Sequence, residues 1–424
     1  MREMKDSGIE WIGEVPNDWR IVRNKNAFVC NKELVGEKSE LTQLLSLTTR
    51  GIKKKDINNA EGKLPESFDT YQFVKENDIV MCLFDLDCSA VFSGISPFDG
   101  MISPAYRVLS CKESMEPRYA DYWFRYISDG RKFNHYAKNI RYTLSYEEFS
   151  ALPLLLPEKS EQRSIADYLD RKCSQIDVII AQQQEVIEKL KTYKLSVITE
   201  EVTKGLNPDV PMKDSGVEWI GEIPEHWVLN KLKYLSLDIG DGIHATPTYD
   251  EDGNVYFVNG NNIGEEYLVF KEDTNTISDT EYASYKLPLL TGNTVFVTLN
   301  GATYGKISFY HGEKILLGKS AGFITLKSTE SREFIRYYLQ SYTAKLIMDL
   351  SLLGSTIANL SLRTLRDFVI PYPPIEEQIQ IVNHLNNRTS SIDAAVSKKE
   401  KIVDELIDYK ESLIYEVVTG KKEV

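Results

Sequence analysis

No run of about 18 apolar residues occurs in the chain, so no membrane-spanning helix is read from it. The N-terminus is charged and lacks an apolar segment behind the charge, which excludes a secretion signal there. The five cysteines, Cys30, Cys82, Cys88, Cys111 and Cys173, form no CxxC pair and all lie in the first half. That usage fits reduced thiols in a cytoplasmic protein better than disulfides or a zinc site. Five scattered histidines include no HExxH, and no glycine-rich dinucleotide loop or GxSxG is present. The "YPPI" at 372–375 has the prolines of an amino-methyltransferase loop without its polar first residue. "GEKILLGKS" (312–320) sets Gly312 and Gly318 one residue too far apart for a phosphate-binding loop, and no such helix is expected after Lys319. No Asp…Glu-x-Lys nuclease cluster stands out either. Together these absences favour a binding protein without catalysis or a metal site. Positive charge is scarce too: 50 Lys and Arg stand against 63 Asp and Glu, a net charge of −13. A nucleic-acid partner needs cations, so this argues against one. Net charge averages over faces, however, and partner subunits can supply cations.

What the sequence does contain is a duplication. "MKDSGIEWIGEVPNDW" (4–19) returns as "MKDSGVEWIGEIPEHW" (212–227), with twelve of sixteen positions identical. The likeness extends to the ends of both halves. Glu161-Gln162 matches Glu377-Gln378, Ile176-Asp177 matches Ile392-Asp393, and Tyr193-Lys194 matches Tyr409-Lys410 at a constant offset. Between them "SPAYRVL" (103–109) parallels "SAGFITL" (320–326), and Leu144-Ser145 parallels Leu360-Ser361. The chain is two tandem copies of one unit: short motif, variable middle, helical tail.

In the tails, Ile165, Leu169, Cys173, Ile176, Ile180, Ile187, Leu190, Tyr193 and Val197 fall three or four residues apart, with Gln183 interrupting the seam between Ile180 and Ile187. Leu385, Ile392, Val396, Val403, Leu406, Tyr409 and Leu413 continue the pattern in the second copy. This spacing predicts coiled-coil helices over 157–207 and 373–424. Pro157 and Pro374 mark their starts, and Gly205 and Gly420 sit where a left-handed cap ends a helix. Each helix needs a partner for its stripe, either the other tail or a second copy of the chain. Trp11, Ile12, Trp19 and their counterparts Trp219, Ile220 and Trp227 are expected to pack as staples that fix each domain to its helix.

The middles carry strand-like runs at 77–84, 254–260 and 293–300, turns at "DEDGN" and "NGATYG", and helices expected at 117–129 and 330–350. Each reads as a mixed α+β domain. The middles diverge while the frame repeats, so two working faces differ. In the first, "TTRGIKKKD" (48–56) offers Thr49, Arg50, Lys53, Lys54 and Lys55. "RKFNHYAKNIRYTLS" (131–145) offers Arg131, Lys132, Lys138, Arg141 and Tyr142 without an acid. Cations interleaved with aromatics suit phosphate anchoring and base reading, though a solvated basic face has the same composition. In the second, polar loops present His244 and Thr246, then Asn300, Tyr304 and Lys306, then Ser355 and Asn359. Such residues also favour plain turns.

The order of opening motif, variable domain and "P…EQ…I…L" helix, repeated once, resembles the specificity subunit of a Type I restriction-modification system. "DGIHATPTY", "VYFVNGNNI", "GNTVFVTLNGATYGKI", "GSTIANLS" and "YPPIEEQIQI" follow the family's order in the second domain. The first domain resembles another subtype and lacks the "TPxY" and "GxxxGK" elements. The resemblance implies an α+β fold with two tandem target-recognition domains, 1–156 and 208–372, separated by two long antiparallel coiled-coil helices in an internal pseudo-two-fold repeat. It implies a non-catalytic cytoplasmic protein that reads a bipartite, asymmetric target on double-stranded DNA, one half-site per domain. It also implies two methyltransferase subunits and restriction subunits as partners. Cofactors would be theirs: S-adenosylmethionine in the methyltransferase, ATP and Mg in the restriction subunit.

Three rivals remain on the sequence. A fused methyltransferase would need a cofactor loop. An acidic DNA mimic that inhibits restriction complexes would lack the basic clusters. A coiled-coil scaffold without a DNA role would be indifferent to reversing their charge.

Overall fold

The structure, a computed structural model, describes residues 2–56, 65, 67–86, 92–129, 132, 143–301, 303–352 and 359–424. The chain forms two compact units, Met1–Gln184 with Lys401–Val424, and Glu185–Glu400. Each unit therefore takes one half of each tail.

The repeated motif is a repeated structure. Met4–Asp6 pairs antiparallel with Glu14–Pro16, and Met212–Asp214 with Glu222–Pro224, in the same register. Lys5 Nζ donates to the carbonyls of Asn17 and Trp19 at 2.7 and 2.8 Å; Lys213 Nζ does the same to Glu225 and Trp227 at 2.6 Å each. Ile12, Trp19, Ile220 and Trp227 are buried, as the staple requires. Trp11 is half-buried against Trp123 and Tyr126. Trp219 departs from that expectation and is 42% exposed. Among the described residues, Trp219 has no ring contact of the kind Trp11 makes with Trp123 and Tyr126.

Behind each motif a strand pair closes the neck of the domain: Arg20–Arg23 on Pro153–Leu156, and Val228–Lys231 on Val369–Tyr372. Equivalent amides seal it, with Asn24 N donating to Leu152 O (3.0 Å) and Leu232 N to Phe368 O (2.9 Å). Beyond the neck lies a four-stranded antiparallel sheet. Its order is Phe28–Asn31, Arg107–Cys111, Ile79–Met81, Ser93–Ile95 in the first unit. In the second it is Ser236–Asp241, Ala321–Leu326, Thr294–Thr298, Ile307–Phe309, the same topology. The runs at 77–84, 254–260 and 293–300 each contain a strand.

The helix expected at 117–129 is Pro117–Asp129, whose Trp123 and Phe124 are buried in the core. The one expected at 330–350 is two helices, Arg332–Gln340 and Tyr342–Ser351. Ser341 breaks it: its backbone is extended, and its hydroxyl accepts the Ala344 amide as a cap on the second helix.

The tails are helices Lys159–Lys204 and Ile375–Val418. In the first unit Ile165, Leu169, Cys173 and Ile176 share a core with Leu413, Ile414, Val417 and Val418. In the second, Val197, Ile198 and Val202 share one with Ile381, Val382 and Leu385. In the second unit Lys191, Lys194 and Glu201 reach Glu400, Asp393 and His384 in turn, so those helix segments run antiparallel. Tyr193 and Tyr409, placed on the apolar stripe by their spacing, are instead exposed. The Tyr193 ring lies under the Arg388 guanidinium, which donates to its hydroxyl. Gly205 and Gly420 end the helices at φ +75° and +72°, the left-handed caps expected.

Candidate nucleic-acid interface

Strand register decides which loops lie together. In the second unit Asp241 pairs with Gly322, which pairs with Val297, while Thr298 pairs with Ala321. The loops after Asp241 and after Thr298, and the turn before Ala321, therefore leave the same end of one sheet. Asn300 forms a bridge with Asn359, and Leu360 N donates to Leu299 O at 2.7 Å, drawing a third segment to that end. His244, Thr246, Asn300, Tyr304, Lys306 and Asn359 are thus gathered from three stretches of sequence. Ser355 lies outside the described residues.

Their local ties differ. His244 Nε2 meets Asp241 Oδ2 at 2.8 Å, which ties the ring to the last residue of the strand before it. Thr246 and Asn359 are exposed. Gly301 and Gly305 take the left-handed backbone, at φ +86° and +77°. Tyr304 is held by a hydrogen bond to Asp349, with the Lys345 ammonium 5.7 Å from its ring. Lys306 is exposed and lines a concavity of about 290 Å3 with Lys191, Lys194, Tyr304 and Lys345. Sequence reading missed Lys345, whose helix gave no sign of facing a distant loop. It also missed Lys319, exposed at the turn before Ala321. In sequence, the "GKS" holding Lys319 reads only as a fragment of a phosphate loop.

In the first unit, Thr49 and Arg50 form the exposed tip of a hairpin, Leu45–Thr48 on Gly51–Lys54. Thr48 shapes the tip: its Oγ1 donates to Gly51 O (2.8 Å) and accepts the Arg50 amide (3.1 Å). Lys53 and Lys54 are exposed on the second strand, and Lys54 Nζ lies 4.6 Å from the Phe98 ring. Lys55 is half-buried, and its amide donates to Leu44 O at 2.8 Å. Lys132 faces inward, donating to Tyr126 O (2.9 Å) with its ammonium 4.0 Å from that ring. Arg131, Lys138, Arg141 and Tyr142 lie outside the described residues. The equivalent sheet end also carries exposed Lys32 and half-buried Arg107, neither singled out by sequence.

Among the described residues no group of His, Cys, Asp or Glu is arranged to hold a metal ion, and no helix is long and apolar enough to cross a membrane. The buried titratable groups stand in structural settings. Burial pushes the Cys111 thiol up to about 12, and burial lifts the Asp121 carboxyl although Arg125 pairs with it at 2.8 Å. What the two surfaces offer is hydrogen-bond donors, amides and cations on rigid sheets, the chemistry of a binding face.

Paired sheet ends bearing polar and cationic loops define a recognition protein, and comparison with known proteins specifies the kind. Residues 240–403 match the model of the Type I restriction modification DNA specificity domain. The chain as a whole is similar to the specificity subunits of type I systems. It is 24% identical to the putative type I restriction enzyme MjaX specificity subunit of Methanocaldococcus jannaschii, across 97% of this chain and 95% of that one. To the MjaVIII specificity subunit of the same organism it is 25% identical, across 96% and 93%. A chain solved in work on complex assembly and conformational transition of the type I R-M system superposes with a TM-score of 0.69. It covers 96% of this chain and 99% of that chain at 15% identity, which bears on the fold alone.

Proposed function

We propose that this chain is the DNA-recognition subunit of a type I restriction-modification complex and reads a bipartite, asymmetric target, one half-site per domain. One observation carries the reading: two sheets of identical strand order, on identical necks, end in different loops. The first unit adds the hairpin Leu45–Lys54, whereas the second adds a three-stranded sheet, Thr276–Ile277, Val255–Val258, Ile315–Leu317, with a parallel pair. A repeated frame with unlike readers suits two unlike half-sites. Thr49, Arg50, Lys53, Lys54 and Lys55 would contact the first. His244, Thr246, Asn300, Tyr304, Lys306 and Asn359 would contact the second, joined by Lys319. Lys132 is tied to Tyr126 and is a weaker candidate.

The repeated helices and motifs would offer equivalent docking surfaces to two methyltransferase subunits, with restriction subunits joining them. Methylation with S-adenosylmethionine and ATP-driven cleavage with Mg would be the partners' chemistry. Their cations would also offset the acidity of this chain on DNA.

The test is a methylome. This chain and its cognate methyltransferase subunit are expressed in a methylation-free host, and modified adenines are mapped by long-read sequencing. The reading expects one split, asymmetric motif with a fixed spacer. Modification without a split motif refutes two readers. An assembled complex that modifies nothing favours a scaffold.

A further inference from the structure

The hairpin Leu45–Lys54 has two unlike faces. Register places Leu45, Leu47, Ile52 and Lys54 on one side and Ser46, Thr48, Gly51 and Lys53 on the other. The first side is fixed to the body: Leu45 and Ile52 are buried in a core with Val74, Val80, Ile102 and Val108, and Leu47 packs on it. Gly94 of the sheet is a glycine because a Cβ there would lie 3.0 Å from Leu47 Cδ1 and 3.6 Å from Ile52 Cγ1. The ribbon is therefore seated rather than floppy. Its outer side and tip carry hydroxyls and cations only, and no acid occurs between Leu41 and Lys55. In a chain of net charge −13, that stretch holds four cations.

Of the three acids that line the concavity beside Thr48–Gly51, Asp121 pairs with Arg125 and Asp177 with Lys410, which leaves Glu411 as the third. Among the described residues, Arg50's guanidinium has no partner and Thr49's hydroxyl none, while the tip backbone is locked by Thr48. A two-stranded ribbon fits the B-DNA major groove, roughly 12 Å wide, and an arginine at its tip matches the paired acceptors on one guanine edge.

We infer that the hairpin enters the major groove as a two-stranded ribbon, Arg50 reading a guanine of the first half-site through O6 and N7, Thr49 reading beside it and Lys53 anchoring a phosphate. The inference rests on the DNA-recognition reading above and sharpens it to an element, a groove and a base.

The experiment compares Arg50→Lys, Arg50→Ala and Lys53→Gln in the complete methyltransferase complex, by methylome and by DNA binding against salt. The tip side chains are solvent-exposed, and assembly of each variant is checked by co-purification. Both Arg50 variants should relax one guanine position in one half of the motif, raising modification of the mismatched sites at least about tenfold, with the other half unchanged. Lysine keeps the charge but loses the fork, so it should not rescue. Lys53→Gln should keep the motif and lower the salt slope by about one. The inference is overturned if Arg50→Lys behaves as wild type, since Arg50 is then a phosphate contact. It is equally overturned if both halves relax together, or if neither Arg50 variant changes the motif. A wild-type complex with no split motif sinks the broader reading instead, a result no Arg50 variant can mimic.

Discussion

Lys194 donates to both carboxylate oxygens of Asp393 at 2.7 Å, across the two antiparallel helix segments of the second unit. In the first unit Lys410 and Asp177 make the counterpart contact at 2.6 Å. Asp177 and Asp393 are copies of one position in the repeat, as are Lys194 and Lys410. Each copy thus supplies the lysine to one pair and the aspartate to the other. Duplication of one self-complementary helix generates both contacts, as in an isologous interface. This favours pairing between the tails over pairing with a second chain.

The pair is exposed, with Lys194 and Asp393 side chains 27% and 56% accessible, so its worth is small. A double-mutant cycle on Lys194→Ala and Asp393→Ala, read by denaturant unfolding, should give a coupling of about 0.2–1 kcal/mol at low salt. It should fade near 1 M salt. A coupling that ignores salt would contradict an electrostatic origin.

Gly420 is constrained twice. Its φ is +72°, and an added Cβ would stand 2.3 Å from Pro16 Cγ. Gly216 has φ +70° but open space around it. Gly216→Ala should cost about 1–2 kcal/mol for the left-handed backbone alone. Gly420→Ala should cost clearly more, because the C-terminal helix must move off the opening motif. Melting temperatures of the two variants decide it, and equal losses would remove the steric part.

Glu201 tests the pH dependence. Its carboxyl is largely buried and raised above its usual 4.5, chiefly by burial, with Glu200 adding to the rise and His384 and Arg388 opposing it. Oε1 lies 3.3 Å from His384 Nε2, while Oε2 is buried without a partner. An acid whose folded value is raised destabilises the fold where it is charged. Its contribution should therefore improve as pH falls from the folded value toward 4.5. Glu201→Gln should melt at or above wild type at pH 7, and the difference should shrink as pH falls through that window. A variant that melts several degrees lower at pH 7 would show that the His384 contact outweighs the burial cost.

Lys306 and Lys319 stand at the loop end of the second sheet. Replacing either by Gln should weaken DNA binding by the assembled complex evenly across sequences. Each should flatten the log–log salt dependence by about one unit without altering the motif. A change of motif would make the residue a base reader.

The legible parts of this protein were the local ones. The helix Pro117–Asp129 and the caps at Gly205 and Gly420 follow from neighbours within a turn or two. The break at Ser341 did not, because Phe334–Leu339 and Ala344–Met348 share one helical period and only the hydroxyl's choice of the Ala344 amide divides them. Tyr193 falls on the predicted stripe because periodicity is blind to the facing Arg388. At the candidate interface, residue types were readable but assembly was not. Sheet register alone brings Asn300 to Asn359 and puts Lys319 at the same end.

The central claim is that each domain reads its own half-site on a shared frame. The matched necks supply junctions for a direct test: residues 232–368 are replaced by a second copy of residues 24–152, joined where Asn24 N meets Leu152 O and Leu232 N meets Phe368 O. Modified adenines are then mapped with the methyltransferase partner present. The account predicts a split motif whose two halves carry the same sequence, that of the first half-site. Persistence of the original asymmetric motif in an assembled complex would contradict it.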